Sequence, residues 1–401
     1  MALLGGCCFF LSTLEYMIPK PFPFMRIGLA NMPLIVALDI LSLKKFALLV
    51  FIKILGQSLI TGSLFSYVFI FSLAGTLASG TVMYLLRRCL GERHIGFIGI
   101  STAGAFLSNG VQLALARFFI FGEGVKFIAP PLLGAGVLTG MVLGFFCEIF
   151  IARSVWYRTR RGPLTEDGIN PLPRQVPPPD PSDRVTPPPG NSGRKKAFPN
   201  QDLLAAGLIM MTAFLFNPSP LTRVIQFLLF GLYARLTGKK IFPLITLCVM
   251  AVIILGNLLV PYGRVLAEFG PFRLTQGSLL SGLHKAVTLE GLILLSKAAI
   301  GSDLRFPGTF GFFIGESFRL FERLAGQRGR VTRKHFIEGI DALMVELSAE
   351  EESAAADPPK PEPARKPKRT VPGALLLAGA VLLTLALTLI GLAGAGDPAR
   401  P

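Results

Sequence analysis

Two pairs of polar residues set inside apolar sequence are the first features of this chain that could do chemistry. Lys53 and Gln57 stand four apart and Asn109 and Gln112 stand three apart, so in helices each pair shares one face. Glu15 and Asn31 lie in two further apolar runs. An ionisable side chain in hydrocarbon costs a few kcal/mol on insertion scales and is usually turned inward, toward protein, water or a solute. Glu15, Asn31, Lys53, Gln57, Asn109 and Gln112 are therefore expected to line one cavity that binds a small solute, with Lys53 drawing an anionic or strongly polar group. The competing reading is interhelical hydrogen bonding among the amides and a Lys that snorkels to the interface. Asp39 and Glu148, near helix ends, are expected to pair with Lys44 or Lys45 and with Arg153. Gly136, Gly140 and Gly144 form a ladder of small residues, and Ala74 and Ala78 a similar stripe, both expected to mark helix contacts within the bundle.

Other chemistries lack their parts. A phosphate-cradling loop needs Gly-x-x-x-x-Gly-Lys-Ser/Thr, and the nearest string, Thr237-Gly238-Lys239-Lys240, has neither the earlier glycine nor the hydroxyl. Prenyl synthases hold magnesium diphosphate on paired aspartate-rich helical segments. Here no two aspartates are adjacent, and the close pair Asp180 and Asp183 lies in a proline-rich stretch. Neither ATP hydrolysis nor prenyl transfer by this chain alone is expected. Cys7, Cys8, Cys89, Cys147 and Cys248 make no C-x-x-C pair, and His94, His284 and His335 sit in separate segments, so no metal and no cofactor is expected.

The elements that must position the polar residues are membrane spans. Of 401 residues only 16% are charged, against roughly 25% in a soluble domain, and 51% are hydrophobic. The formal charge of +16 would suggest nucleic acid in a soluble protein. Here most of the excess falls between apolar runs, as the positive-inside rule requires, and a nucleic-acid partner is set aside. Six spans are read at residues 2–18, 25–43, 46–64, 67–86, 95–121 and 127–151. The run beginning at Ala2 has no basic leader, and Leu4-Gly5-Gly6-Cys7 stands too near the start to be a lipoprotein cleavage box, so it is read as the first span. Lys44 and Lys45, then Arg87, Arg88 and Arg93, then Arg153, Arg158, Arg160 and Arg161 occupy alternate loops, with Lys20 and Arg26 dissenting. That places the N-terminus and the loop after the sixth span in the cytoplasm of a bacterial inner membrane.

Residues 1–155 are thus a six-helix module, and residues 156–200, with Pro177-Pro178-Pro179 and Pro187-Pro188-Pro189, a cytoplasmic linker. A second helical membrane module is expected over 201–348, with spans near 203–216, 221–236 and 241–260. Its stretch 279–300 is either a span whose polar face meets protein or an interfacial amphipathic helix, because His284, Lys285, Glu290 and Lys297 interrupt it. A polar linker at 349–371 leads to a single span at 372–395. The fold class is all-α, a polytopic transmembrane helical bundle.

The first half carries Gly28-Leu29-Ala30-Asn31, Lys53-Ile54-Leu55-Gly56-Gln57, Phe71-Ser72-Leu73-Ala74-Gly75, Gly99-Ile100-Ser101 and Asn109-Gly110-Val111-Gln112. Over residues 10–155 these strings resemble the Gx transporter family, which also goes under the name heptaprenyl diphosphate synthase component I. That family is similar in turn to the six-helix substrate-capture subunits of energy-coupling-factor transporters. Residues 201–324 resemble more faintly the transmembrane coupling subunit of those transporters, through the Gly270 to Arg273 segment and the amphipathic stretch at Gly282 to Lys285. The paired Ala-Arg-Ser/Gly motifs that dock ATPases are reduced to one string, Ala152-Arg153-Ser154, in the first half.

The resemblance implies a membrane component that captures a small solute and works with separate ATP-binding subunits. The alternative is a non-catalytic membrane subunit partnered with a catalytic prenyl diphosphate synthase subunit. A scaffold without transport is a third reading. An isoprenoid or quinone precursor or a flavin-like vitamin is suggested by family company alone; no residue pattern names the solute.

Overall fold

A computed structural model describes residues 1–18, 27–161, 200–239, 241–269, 272–299, 308–326, 336–356 and 371–395. The architecture is an all-α, membrane-embedded polytopic bundle with one small hairpin. Among the described residues four stretches are long and apolar enough to cross a membrane: Tyr67–His94, Phe97–Arg153, Gln276–Ala299 and Leu375–Ala393. The second of these folds back at Gly122, where φ is +55°, into two antiparallel helices.

The first unit runs α1 (Ala2–Met17), α2 (Met32–Ala37), α3 (Leu43–Thr61), α4 (Tyr67–His94), α5 (Phe97–Ala116) and α6 (Val125–Arg153). A π-helical turn, Arg117–Phe121, ends α5. The expected second span, 25–43, is not a continuous helix. After a left-handed Gly28 (φ +92°) the chain makes a 3-10 turn at Leu29–Asn31, six residues of α2 opening on Pro33, and a bend. Six residues rise only about 9 Å. This irregular backbone is tolerated because it lies inside protein, with Ala30 and residues 33–38 buried.

The ladder Gly136, Gly140 and Gly144 faces α5. A Cβ at Gly144 would stand 2.4 Å from Ile98 Cα, and one at Gly140 would stand 2.8 Å from Thr102 Cα, so the two backbones approach as closely as glycine allows. The expected ion pairs form differently. Asp39 takes two 2.6 Å bonds from Arg87 and one of 2.9 Å from the Tyr157 hydroxyl, and Glu148 accepts the Ile98 N–H at 3.3 Å. Burial first, and then the charge of Asp39, hold the Tyr157 phenol above its ordinary pKa, so it stays a donor.

The first unit also extends past residue 155. A short helix, α7 (Val155–Arg161), buries Trp156 and Tyr157 against the bundle, so the proposed linker loses its first residues. The proline-rich remainder, and His335, lie outside the described residues.

The second half contains α8 (Asn200–Leu215), α9 (Pro220–Leu236), α10 (Pro243–Leu258), the antiparallel strands β1 (Val265–Phe269) and β2 (Phe272–Thr275), and α11 (Gln276–Ala299). Then come α12 (Gly308–Gly326), α13 (Phe336–Ala356) and α14 (Val371–Ala395). The polar face of α11 meets protein. Arg223 bonds His284 Nε2 at 2.6 Å and Thr288 Oγ1 at 2.9 Å, Lys285 donates to Asn257 at 2.9 Å, and Ser296 accepts the Phe65 N–H at 3.0 Å. Asn257 in turn donates 3.0 Å to the Ile120 carbonyl at the end of α5, tying α10 to the first unit.

Helices of the second half pack directly on the first unit. Leu320, Leu324, Met344 and Leu347 of α12 and α13 share one apolar core with Leu3, Leu4, Leu34 and Trp156. The carboxylate of Asp341 on α13 accepts the Ser154 hydroxyl and the N–H groups of Val155 (2.8 Å) and Trp156 (3.1 Å), capping α7.

Candidate functional site

Why the first unit holds a polar cavity follows from where its helices begin and stop. α1 ends just past Glu15, and the chain returns at Ile27 directly over it. The carboxylate accepts the Ile27 N–H at 2.9 Å and the Gly28 N–H at 3.2 Å, which satisfies backbone groups that no helix bonds at that point. Gly28 in its left-handed conformation then turns the chain inward and sets Asn31 facing α3. There the Lys53 ammonium donates to Asn31 Oδ1. Gln57 follows one turn along α3, as its spacing predicts.

The fourth wall is α5. Asn109 donates 3.2 Å to the Leu132 carbonyl of α6, at a place where α6 presents Gly136: a Cβ there would fall 1.9 Å from Asn109 Nδ2. The amide thus occupies the volume a side chain on α6 would need. Ser108, beside it, accepts 3.0 Å from Gln112 Nε2, while Gln112 Oε1 is buried without a hydrogen-bond partner.

Glu15, Ile27, Gly28, Ala30, Asn31, Lys53, Gln57, Thr76, Ala105, Ser108 and Asn109 together line a small, partly open cavity. Its room for water centres is about 20 Å³; roughly 10–15 Å³ accommodates one water. Five of the six residues expected at a site meet here. Gln112 does not line the cavity; it stands behind Ser108. Lys53 is buried, 3% exposed, so it does not snorkel.

Thr76 and Ser108 were not singled out from sequence. Ser108 could have been, since it lies one residue before Asn109 and four before Gln112. Thr76 stands four residues after Ser72 and three before Ser79, a stripe of buried hydroxyls on one face of α4, but hydroxyls in an apolar helix usually bond their own backbone and so mark a site weakly. Among the described residues, no three His, Cys, Asp or Glu side chains come together as a metal site would require.

Behind the cavity, Phe9 of α1 lies against Gly56, which sits between Lys53 and Gln57 in sequence. A Cβ at Gly56 would stand 1.9 Å from the Phe9 ring. The same ring packs on Phe318 of α12, with centroids 4.7 Å apart. One aromatic ring therefore joins the cavity helix α3 to an amphipathic helix of the second half.

Residues 4–150, α1 through nearly all of α6, match the family model of heptaprenyl diphosphate synthase component I. Residues 202–302 match the model of a domain of unknown function, DUF8519, which ends just after α11. No curated protein and no solved structure matches the chain.

Proposed function

We propose that this chain is a membrane component of an energy-coupling-factor-like importer, in which the first unit binds a small solute in the cavity and the second half couples it to separate ATP-binding subunits. The observation that carries the reading is the convergence of Glu15, Asn31, Lys53, Gln57 and Asn109, from four separate segments, on one small cavity. Convergence is costly in a membrane protein, where each buried polar group must find a partner, and packing alone is served as well by apolar residues. The Phe318–Phe9–Gly56 contact supports the coupling half of the reading, because motion of α12 would reach the backbone between Lys53 and Gln57 through one ring.

The family model favours a second reading, a membrane subunit that partners a catalytic prenyl diphosphate synthase. Under that reading the chain is non-catalytic, and its cavity, with room for a water or two, does not hold a prenyl chain.

The test compares cells of the native host carrying the wild-type chain with cells carrying Lys53→Met combined with Gln57→Leu. Loss of accumulation of a small polar metabolite, with long-chain prenyl products unchanged, is the expected result. Unchanged metabolites with depleted prenyl products would overturn the importer in favour of the synthase subunit.

A further inference from the structure

We infer that the solute site continues past the cavity between α4 and α5, where Gln112 is a movable plug and, with Ser72, takes hydrogens from N–H or O–H groups at the far end of the solute. This deepens the solute-binding reading above and rests on it. The class it names is a polar solute longer than the cavity, with a hydrogen-bond donor at the end remote from Lys53.

The direction of the extension follows from helix geometry. A Cβ at Gly75 would meet Gln112 and Ser108, and one at Gly104, earlier on α5, would meet Met83 and Ser79, later on α4, so the two helices run antiparallel. Thr76 and Ser108 line the cavity from these helices. The step from Thr76 back to Ser72 and the step from Ser108 on to Gln112 therefore lead the same way, one turn or about 6 Å out of the cavity. Each step keeps to one helix face, because both pairs stand four apart.

Hydrogen-bonding capacity is left unused along that line. Ser72 and Gln112 are each 1% exposed, and the Ser72 hydroxyl and Gln112 Oε1 have no hydrogen-bond partner among the described residues. A buried polar group without a partner is destabilising, and an apolar side chain of the same shape would pack here without that penalty. Two such groups, each one turn beyond a hydroxyl of the cavity wall, mark a place that a ligand completes. Gln112 Oε1 only accepts, so the group that completes it is a donor. Beyond them the seam closes on Phe71, Leu113 and Ile120, joined by Ala286 and Leu289 of α11.

Gln112 is the plug because of where its bond goes. Glu15, Lys53 and Asn109 are each bonded to another segment, at Ile27 and Gly28, at Asn31 and at Leu132. Gln112 Nε2 bonds instead to Ser108 of its own helix, at 3.0 Å. Its amide lies across the bare backbone of Gly75, 2.8 Å from where a Cβ would stand. A long side chain can change rotamer off that spot without moving either helix, and in turning it offers Oε1 to the solute.

The experiment uses the full purified chain in detergent with Cys7→Ser, Cys89→Ser and Cys248→Ser, the buried Cys8 and Cys147 being kept. The probe is methanethiosulfonate ethylammonium, which modifies thiols that meet water, and mass spectrometry follows the adduct. Ser108→Cys, in the cavity wall, is expected to react readily. Ser72→Cys is expected to react more slowly and to gain at least tenfold in rate when Gln112→Ala removes the plug, while Leu113→Cys in the apolar core stays unmodified in both backgrounds. If Gln112→Ala does not fold, Gln112→Asn, shorter by one carbon, should act in the same direction. Ser72→Cys unreactive in every background, beside a reactive Ser108→Cys, would overturn the extension and leave the cavity standing. An unreactive Ser108→Cys would overturn the cavity and the extension with it, and Leu113→Cys modified as fast as Ser72→Cys would show general loosening in place of a site. In the native host, Gln112→Leu with Ser72→Ala is expected to cut at least tenfold the accumulation of the metabolite lost with Lys53→Met and Gln57→Leu. Full accumulation would show that the extension holds water alone and would overturn its part in binding the solute.

Discussion

Three glycines of α6 give the strongest test of how the cavity is built, because they differ in what an added methyl would meet. At Gly134 nothing lies within 4 Å; at Gly136 the methyl would strike the Asn109 amide at 1.9 Å; at Gly144 it would strike backbone, Ile98 Cα at 2.4 Å and the Phe97 carbonyl at 2.8 Å. Alanine gains up to about 1 kcal/mol over glycine in a helix interior. Gly134→Ala is therefore expected to be neutral to slightly stabilising. In Gly136→Ala the amide must swing away and lose its bond to Leu132, which costs about 1–3 kcal/mol for a buried group and leaves a net loss after the helical gain. Gly144→Ala forces α5 and α6 apart and carries an overpacking cost of about 1–3 kcal/mol or more. Truncating the obstacle distinguishes the last two. Asn109→Ala added to Gly136→Ala removes the clash and should recover most of the loss, whereas no side-chain truncation can rescue Gly144→Ala. Thermal unfolding of the purified chain in detergent reads all four variants. Equal melting of Gly134→Ala and Gly136→Ala, or a double variant as poor as Gly136→Ala alone, would refute the claim that Asn109 fills the notch on α6.

Three further outcomes are expected. Asp341→Ala leaves the Ser154 hydroxyl on the Tyr157 N–H but removes the acceptor of the backbone N–H groups of Val155 and Trp156, at a cost of about 1–3 kcal/mol; since Trp156 is the single tryptophan of the chain, loosening of α7 should shift its fluorescence to the red and quench it faster, and unchanged emission would show that α13 does not hold α7. The exposed Cys89 stands at the end of the bundle that carries Lys44, Lys45, Arg88, Arg93 and Arg153. In a Cys248→Ser background it should resist an impermeant thiol reagent in whole cells and react with a permeant one, and labelling from outside would invert the proposed orientation. The purified chain should neither hydrolyse ATP nor elongate prenyl diphosphates; metal-dependent elongation by the chain alone would sink both functional readings.

What could be read from sequence, and what could not, divides along the range of the forces involved. Lys53 with Gln57, and Asn109 beside Gln112, are placed by helical geometry alone once the segments are known to be helices, so the walls of the cavity were legible before any tertiary contact. Partner choice was not. Asp39 has Lys44 and Lys45 five and six residues away, yet it bonds Arg87, which α4 delivers from another helix. The segment 25–43 has the length and apolarity of a span, and hydropathy cannot register that Gly28 turns the chain and that α2 is only six residues long. For α11 the sequence left two environments open, because what decides between them, Arg223 and Asn257, sits on other helices.

The contact between α12 and α1 shows how a local signal can be present and still be misassigned. Residues 310–321 carry five phenylalanines with Glu316 and Arg319 among them, a pattern that reads as a surface helix with one greasy face. What that face needs is a partner that lets the helix backbone come close, and α1 supplies it at Gly5 and Gly6, against Ser317 and Leu320. A Cβ at Gly5 would come within 2.3 Å of the Ser317 hydroxyl, and one at Gly6 within 3.1 Å of the Ser317 carbonyl oxygen. The same two glycines stand in the string that was weighed only as a lipoprotein-like box. In a helix of otherwise large residues an adjacent glycine pair marks where another backbone comes close. Paired with a phenylalanine-rich amphipathic helix elsewhere in the chain, it identifies where α12 packs on α1, beside the Phe9 ring that touches both Phe318 and the backbone of α3 at Gly56.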